Sequence, residues 1–448
     1  MTDNFSSNGF NNSTATALSE ISGTTSSIPV QLTPQPAPVS PLAQLRQLET
    51  ELNSVLIERS EAVRAALVAL VAGQNMVLLG PPGCGKSLIV TELARRIRDN
   101  NPAGAGGGLS CFTLLMTKYT DPDEVFGPVS LSALKNDERK RTTTHKLPET
   151  HFAFLDEVFK ANSAVLNALL TVMNEREFDN GGSSRLKLPL ISLFGASNEL
   201  PEGRELEAFW DRFLLRLVIN PVSEAGFEKL VNLLMSPSPA PAAFLGLNGL
   251  QALQLQATKV GFSPSVRLAY IKLRKELAAK GITASDRRWG QCLKLLQSHA
   301  LIEGRQTVEE DDLSILEHAL WNTPEQRSDI KKQVGQLANP VAAKALEFFD
   351  QAFNIHQTAL AAYKKASNED EKGRLIVEAV GKLKATLHSI ITTCTPEHRT
   401  TLDAGGRDGI KNVVAFLNTA GQARSLNKVE TIIVQVSRMR DELVEHVS

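Results

Sequence analysis

The order of apolar and polar positions divides the chain into four stretches. Residues 1–42 are dominated by Ser, Thr, Asn, Gln and Pro, ending in "LTPQPAPVSP". They have too little to bury and are expected to be a disordered tail. Helical spacing begins near Leu45. In "ERSEAVRAALVALVAGQ", Val63, Leu67, Leu70 and Val71 share one face, with Ser60 as the expected N-cap and Gly73 as the stop. A short apolar run, "MVLLG", then reads as a buried strand, and from there to Asn220 apolar runs alternate with helical stretches. That alternation predicts an α/β unit over residues 43–220, a parallel sheet flanked by helices.

Beyond Pro221 the strands stop. "SPSVRLAYIKLRKELAAKG", "SDRRWGQCLKLLQSHALIEG" and "TVEEDDLSILEHALW" all read as helices, the last opened by a capping box of Thr307 with Glu310. Residues 221–323 are therefore expected to form a small all-helical domain, with the Pro-rich "MSPSPAPAAF" as a loop before it. Residues 324–448 keep helical spacing in "NPVAAKALEFFDQAFNIHQTALAAYKKA" and "KVETIIVQVSRMRDELVEHV", as in an elongated helical bundle.

Composition narrows the class. At 448 residues the chain has room for several domains with ample core. Forty-eight basic and 49 acidic side chains leave a formal net charge of −1, so no global attraction to nucleic acid or anionic membrane is built in. The four cysteines, Cys84, Cys111, Cys292 and Cys394, form no CxxC pair, which argues against a disulfide framework or a zinc ribbon. The first residues carry no secretory pattern, the first basic residue is Arg46, and no apolar run is long enough to span a bilayer. A soluble, cytoplasmic protein is expected.

Four short segments carry chemistry. Gly80-Pro81-Pro82-Gly83-Cys84-Gly85-Lys86-Ser87 fits GxxxxGK[ST], between a strand and the helix "SLIVTELARRIR". The glycines bring backbone N–H groups close to phosphate oxygens, Lys86 reaches the β- and γ-phosphates, and the Ser87 hydroxyl ligates Mg²⁺. The nucleotide-binding stretch is taken to run through Leu88. In "HFAFLDEV", a buried strand ends in Asp156, placed to hold Mg²⁺ together with Ser87, and Glu157, placed to orient an attacking water. In "LISLFGASNEL", another strand ends in Asn198, an amide expected near the γ-phosphate. The fourth segment type is basic. Arg212 in "LEAFWDRFLLRLVI" and Arg287 and Arg288 in "SDRRW" fall where structural needs explain them poorly, since cations at a helix N-terminus oppose its dipole. An arginine from a neighbouring subunit would stabilise charge on the γ-phosphoryl group, and one in the lid would close the helical domain onto nucleotide. The competing reading of each is a surface salt bridge.

Taken in this order, the segments resemble the AAA+ ATPases. The phrases "LLMTKYTDPDEVFGPVSL", "FLDEVFKANSAVLNALLTVMNEREF", "ASNELPE", "DRFLLRL" and "SDRRW" are similar to the MoxR family, closest to its RavA-like subgroup, over about residues 44–322. The resemblance implies a P-loop AAA+ sheet followed by an all-helical lid, with ATP and Mg²⁺ as cofactors. It makes Lys86, Asp156, Glu157, Asn198 (sensor 1), Arg212 (arginine finger) and Arg287 (sensor 2) the catalytic set, with Arg216 and Arg288 as second choices for the arginines. It also implies a homo-hexamer that remodels or assembles a client protein or metalloenzyme, in some members with a von Willebrand factor A protein. Two insertions of this branch are accommodated: a helix-2 insert in "GPVSLSALKNDERKRTTTHKLPET" and a hairpin in "EFDNGGSSRLKLPL". The small β-rich insertion of RavA-like proteins has no counterpart in residues 324–448. A DNA-directed helicase or loader is the rival reading. The near-neutral charge and the lack of a DNA-binding motif count against it.

Overall fold

The computed structural model describes residues 39–98, 111–181, 185–236, 240–338, 340–366, 368–394 and 420–445. The expectation of a disordered tail falls, up to residue 38, outside those residues. Ordered structure begins earlier than residue 43, because the Ser40 hydroxyl accepts from the Ala43 N–H and caps α1 (Pro41–Val55). Helix α2 (Ser60–Ala72) ends at Gly73, whose φ of 62° supplies the left-handed turn that stops it. Ser60 is the first helical residue and not the cap. The capping position is Arg59, which makes no side-chain cap bond.

Five strands build the central sheet: β1 (Met76–Leu79), β2 (Cys111–Leu115), β3 (Phe152–Asp156), β4 (Ser192–Ser197) and β5 (Leu215–Val218). Their order is β2-β3-β4-β1-β5, and every pairing is parallel. Met76–Leu79 is buried throughout because β1 pairs with β4 on one side and β5 on the other, with helices over both faces. Helices α3 (Lys86–Ala94), α4 (Ser163–Glu175) and α5 (Arg204–Trp210) connect the strands. Between β2 and β3 lie short helical turns at Pro122–Phe126, Leu131–Leu134 and Leu147–Glu149, the first closed by a capping box of Asp121 and Glu124. Glu177–Phe178 pairs antiparallel with Leu186–Lys187, forming hairpin arms before β4.

After β5 come α6 (Glu224–Met235), α7 (Leu247–Ala257), α8 (Pro264–Ala279) and α9 (Asp286–Ile302). The segment "TVEEDDLSILEHALW" departs from the expected helix. Thr307–Val308 pairs in parallel with Gly261–Phe262, so it cannot cap a helix, and the turn that follows is a 3₁₀ helix, Glu310–His318. Its capping box is Glu309 with Asp312. Asp312 is fully buried and held by Arg305 and His299.

Among the described residues, helix α10 (Gln326–Ala338) is followed by helices of 26 residues each: α11 (Pro340–Lys365), α12 (Glu369–Cys394) and α13 (Ala420–Glu445). Their shared core repeats every seven residues: Ala345, Ala352 and Ala359 on α11, Ile376, Leu383 and Ile390 on α12, Val429, Val436 and Leu443 on α13. That spacing is the coiled-coil seam, with alanines allowing close approach. Among the described residues of this region every element is helical, and no helix among the described residues of the chain is long and apolar enough to cross a membrane.

Candidate nucleotide site

The carboxyl ends of β1, β4 and β3 are neighbours in the sheet, and the three strand-end motifs meet there. After β1 the chain wraps through Gly80, Gly83 and Gly85, with φ of 152°, 80° and 78°. A Cβ at Gly80 would strike the Ile219 carbonyl, whereas at Gly83 and Gly85 it would meet open space. The loop is thus anchored at one end and open where phosphate oxygens would sit. The Lys86 Nζ donates to the Gly80 carbonyl at 2.6 Å, the Pro81 carbonyl at 3.0 Å and Asn198 Oδ1 at 2.7 Å. Asn198 Nδ2 in turn donates to Glu157 Oε1. A continuous hydrogen-bonded line therefore links Lys86 through Asn198 to Glu157.

Glu157 has φ 51°, a left-handed conformation uncommon for a residue with a side chain. Its N–H donates to Asp156 Oδ1 at 3.0 Å, and the Lys160 ammonium lies 3.2 Å from its Oε2. With this left-handed residue at the end of β3, the Glu157 carboxylate accepts from Asn198 while the Asp156 carboxylate accepts from the Glu157 N–H. Asp156 is half-buried and the Ser87 side chain is exposed, so both keep oxygens available. Those hard oxygen donors fit Mg²⁺. Pro81, Pro82 and Leu88 are exposed, while Cys84 is buried in the core.

The arginines sort differently from the sequence expectation. Arg216 is fully buried, donating to the carbonyls of Trp321, Trp210 and Phe213 and to Asn322 Oδ1, with its guanidinium over the Trp210 ring. Arg288 is buried as well, bonded to the carbonyls of Leu214, Ala319 and Phe213 and to Asp211 Oδ1 at 3.1 Å. Both second-choice arginines are thereby removed as phosphate contacts, because their donors are committed to joining the lid to the sheet.

Arg212 and Arg287 lie at the other end of the sheet. Asn75, the residue before β1, accepts at its carbonyl from the Leu214 N–H, and its Nδ2 donates to the Arg212 carbonyl at 3.3 Å. Gly80 is five residues further on, roughly 16 Å along the strand at ~3.3 Å per residue. Buried Phe209 and Phe213 pin the chain on both sides of Arg212, whose side chain is 21% exposed. Its Nη1 donates to the Ala208 carbonyl at 3.2 Å and lies 3.9 Å from Asp211 Oδ2. Partial burial, then the nearby positive charge of Arg287, pull its pKa down against the opposing pull of Asp211. Arg287 itself is exposed. Arg287, expected to close the lid onto nucleotide, stands beside Arg288, which bonds the Leu214 and Phe213 carbonyls at the amino-terminal end of β5.

Three positioning residues had no motif to mark them. Arg59 Nη2 donates to the carbonyls of Cys84 and Asn220, tying the phosphate loop to the end of β5. Asn75 accepts from Leu193 N and Arg176 Nη2, which couples the start of β4 and the hairpin base to Arg212. Burial lowers the Arg176 pKa to about 10. The only signal for Asn75 was a polar residue directly before an apolar strand.

A Gly-rich loop on β1, adjoining acids on β3, an amide on β4 between them and a helical lid after β5 define a P-loop protein of the AAA+ class. Residues 43–236 match the family model for the "MoxR domain in the MoxR-vWA-beta-propeller ternary systems", and residues 266–334 match an AAA lid domain. An uncharacterized protein of Methanocaldococcus jannaschii is 39% identical over 68% of this chain and 78% of its own length. Protein MoxR of Paracoccus denitrificans is 22% identical over 63% of this chain and 90% of its own. The solved structure of a candidate ATPase from Cytophaga hutchinsonii superposes with a TM-score of 0.53 at 17% identity, covering 66% of this chain and 94% of that one. The chain belongs to the MoxR family of AAA+ proteins.

Proposed function

We propose that this protein is an ATPase that assembles head to tail into a ring, as a homo-hexamer, and spends hydrolysis on remodelling or assembling a client protein in the cytoplasm. The observation that carries the reading is the separation of its parts. The Lys86–Asn198–Glu157 line lies at one end of the strands, and partly exposed Arg212 and exposed Arg287 lie at the other. Neither end is a complete site, and a second copy docked end to end would supply what the first lacks.

Within the seam each side chain has a task. Backbone N–H groups of Gly83–Ser87 and the Lys86 ammonium hold phosphate oxygens. Ser87 and Asp156 would hold Mg²⁺, which would supply charge neutralisation to the phosphates. Glu157 orients a water and accepts its proton, while Asn198 relays its position to Lys86. Arg212 and Arg287 of the neighbouring copy offset charge on the transferred phosphoryl group. That the matched family model is named for a MoxR-vWA-beta-propeller system supports a von Willebrand factor A protein as the partner.

Glu157→Gln tests the chemistry. ATP binding, followed by a fluorescent analogue, should stay within about twofold, while phosphate release should fall by roughly 10²–10⁴. Unchanged release would remove Glu157 from its role.

A further inference from the structure

Helix α6 stands apart from the body of the protein. Gly226 is its only buried residue, yet Phe227, Leu230, Val231, Leu234 and Met235 recur at i, i+3, i+4, i+7 and i+8 on one face. Phe227 is 59% exposed, Leu234 75% and Met235 81%. The helix is fixed beside the phosphate loop: Ser223 N donates to Glu58 Oε2 at 2.8 Å, and the adjoining Arg59 bonds the Cys84 and Asn220 carbonyls. Its flanking charges are mainly acidic, with exposed Glu224 and Glu228 against Lys229.

A second exposed apolar pair sits at the opposite end of the sheet. Leu268 is 69% exposed and Ile271 54%, one turn apart on α8. Exposed Arg267, Lys272, Arg274 and Lys275 surround them, Lys272 paired with Glu276 and Arg274 with Asp286, so this patch is basic where the first carries a small acidic excess. It is tied to the arginine end, since Arg274 Nη2 bonds Asp286 Oδ1 at 2.6 Å and the Tyr270 hydroxyl donates to the Trp289 carbonyl at 2.6 Å. Both contacts are to the first turn of α9, which carries Arg287.

We infer that the apolar face of α6 docks on the Leu268–Ile271 face of α8 in a second copy of this chain. The inference rests on the shared-seam reading and adds the surface that joins the copies. Two complementary patches, one beside the phosphate loop and one beside the arginines, are non-identical, so they make a head-to-tail contact that propagates instead of closing a two-fold dimer. Charge complementarity favours another copy over a client, because apolar-acidic meets apolar-basic within one sequence.

The test uses the full chain with Mg²⁺ and ATP in sedimentation velocity. Leu234→Glu and Ile271→Glu, both at exposed positions, should each weaken assembly roughly tenfold or more and leave monomers where the unaltered protein forms rings. Mixed in equal amounts, the two variants should form pairs and nothing larger. One intact α6 face then meets one intact α8 face, and pairing shows that both variants are folded. Thermal melts matching the unaltered protein check each variant alone. Assembly of Leu234→Glu like the unaltered chain, a mixture of folded variants that stays monomeric, or a monomeric unaltered chain would each overturn the inference. Should the pairs form yet release no more phosphate than either variant alone, the surface stands and the shared seam falls. Should neither variant alter assembly while Arg212→Ala still abolishes turnover, the seam stands and this surface falls.

Discussion

Arg287 and Arg288 adjoin in sequence and differ in every physical respect. Arg288 places its donors on the carbonyls of Leu214, Ala319, Phe213 and Asp211 and on the Asp211 carboxylate, all at the junction of sheet and lid. Removing it leaves several buried acceptors without donors, and such groups cost about 1–3 kcal/mol each when stranded. Arg288→Ala should therefore destabilise the protein by about 3 kcal/mol or more in urea unfolding. Arg287 is exposed. Arg287→Ala should alter stability by less than about 0.5 kcal/mol. If Arg287 acts on a neighbour's phosphate, phosphate release should nonetheless fall by roughly 10²-fold. The reverse pattern, with Arg287→Ala unfolding easily and Arg288→Ala merely slow, would exchange the two assignments.

At the scale of elements, α2 is joined to the 3₁₀ segment by His318 Nε2, 3.2 Å from Glu61 Oε1. The hydrogen bond from His318, opposed by partial burial and helped by the charges of His318, Lys331 and Arg327, holds the Glu61 carboxyl at about 2. A carboxyl depressed in the folded state contributes stability above its unfolded pKa of about 4.5 and loses it as pH falls through the folded value. The melting temperature of Glu61→Gln should thus lie below that of the unaltered protein at pH 6, and the gap should close between about pH 4.5 and pH 2. A gap that does not vary with pH would show that the contact is not ionic. Elements were legible where the cause is local. Met76–Leu79 is apolar throughout because both faces are covered, and Gly73 is where a left-handed residue must stand. The stretches carrying Lys86, Glu157 and Asn198 could be read for the same reason, each being a short motif on one strand end. Distant partners hid the rest. Thr307 looked like a cap until Val308 paired with Phe262. Arg288 looked like a cation facing a ligand because the carbonyls that satisfy it come from residues 70 and more positions earlier in sequence or from the far end of the lid.

For the whole molecule the decisive feature is that β1 carries the phosphate loop at one end and, through Asn75, the Arg212 backbone at the other. A site completed inside one chain and a site shared between chains make opposite forecasts for mixed rings. A Lys86→Ala chain keeps Arg212 but grips no phosphate, and an Arg212→Ala chain grips phosphate but offers its neighbour nothing. Each alone should be inactive. In a random equimolar ring, a seam works when an Arg212→Ala copy presents its loop to a Lys86→Ala neighbour, which occurs at about one seam in four for a head-to-tail contact. Phosphate release should accordingly recover to roughly a quarter of the unaltered rate per chain, provided seams fire independently. Strong coupling around the ring would lower that figure without abolishing it, whereas sites complete within one chain would recover nothing at any ratio. Titrating one variant into the other separates these cases, since shared seams predict a maximum near equal amounts and isolated sites predict a flat line at zero.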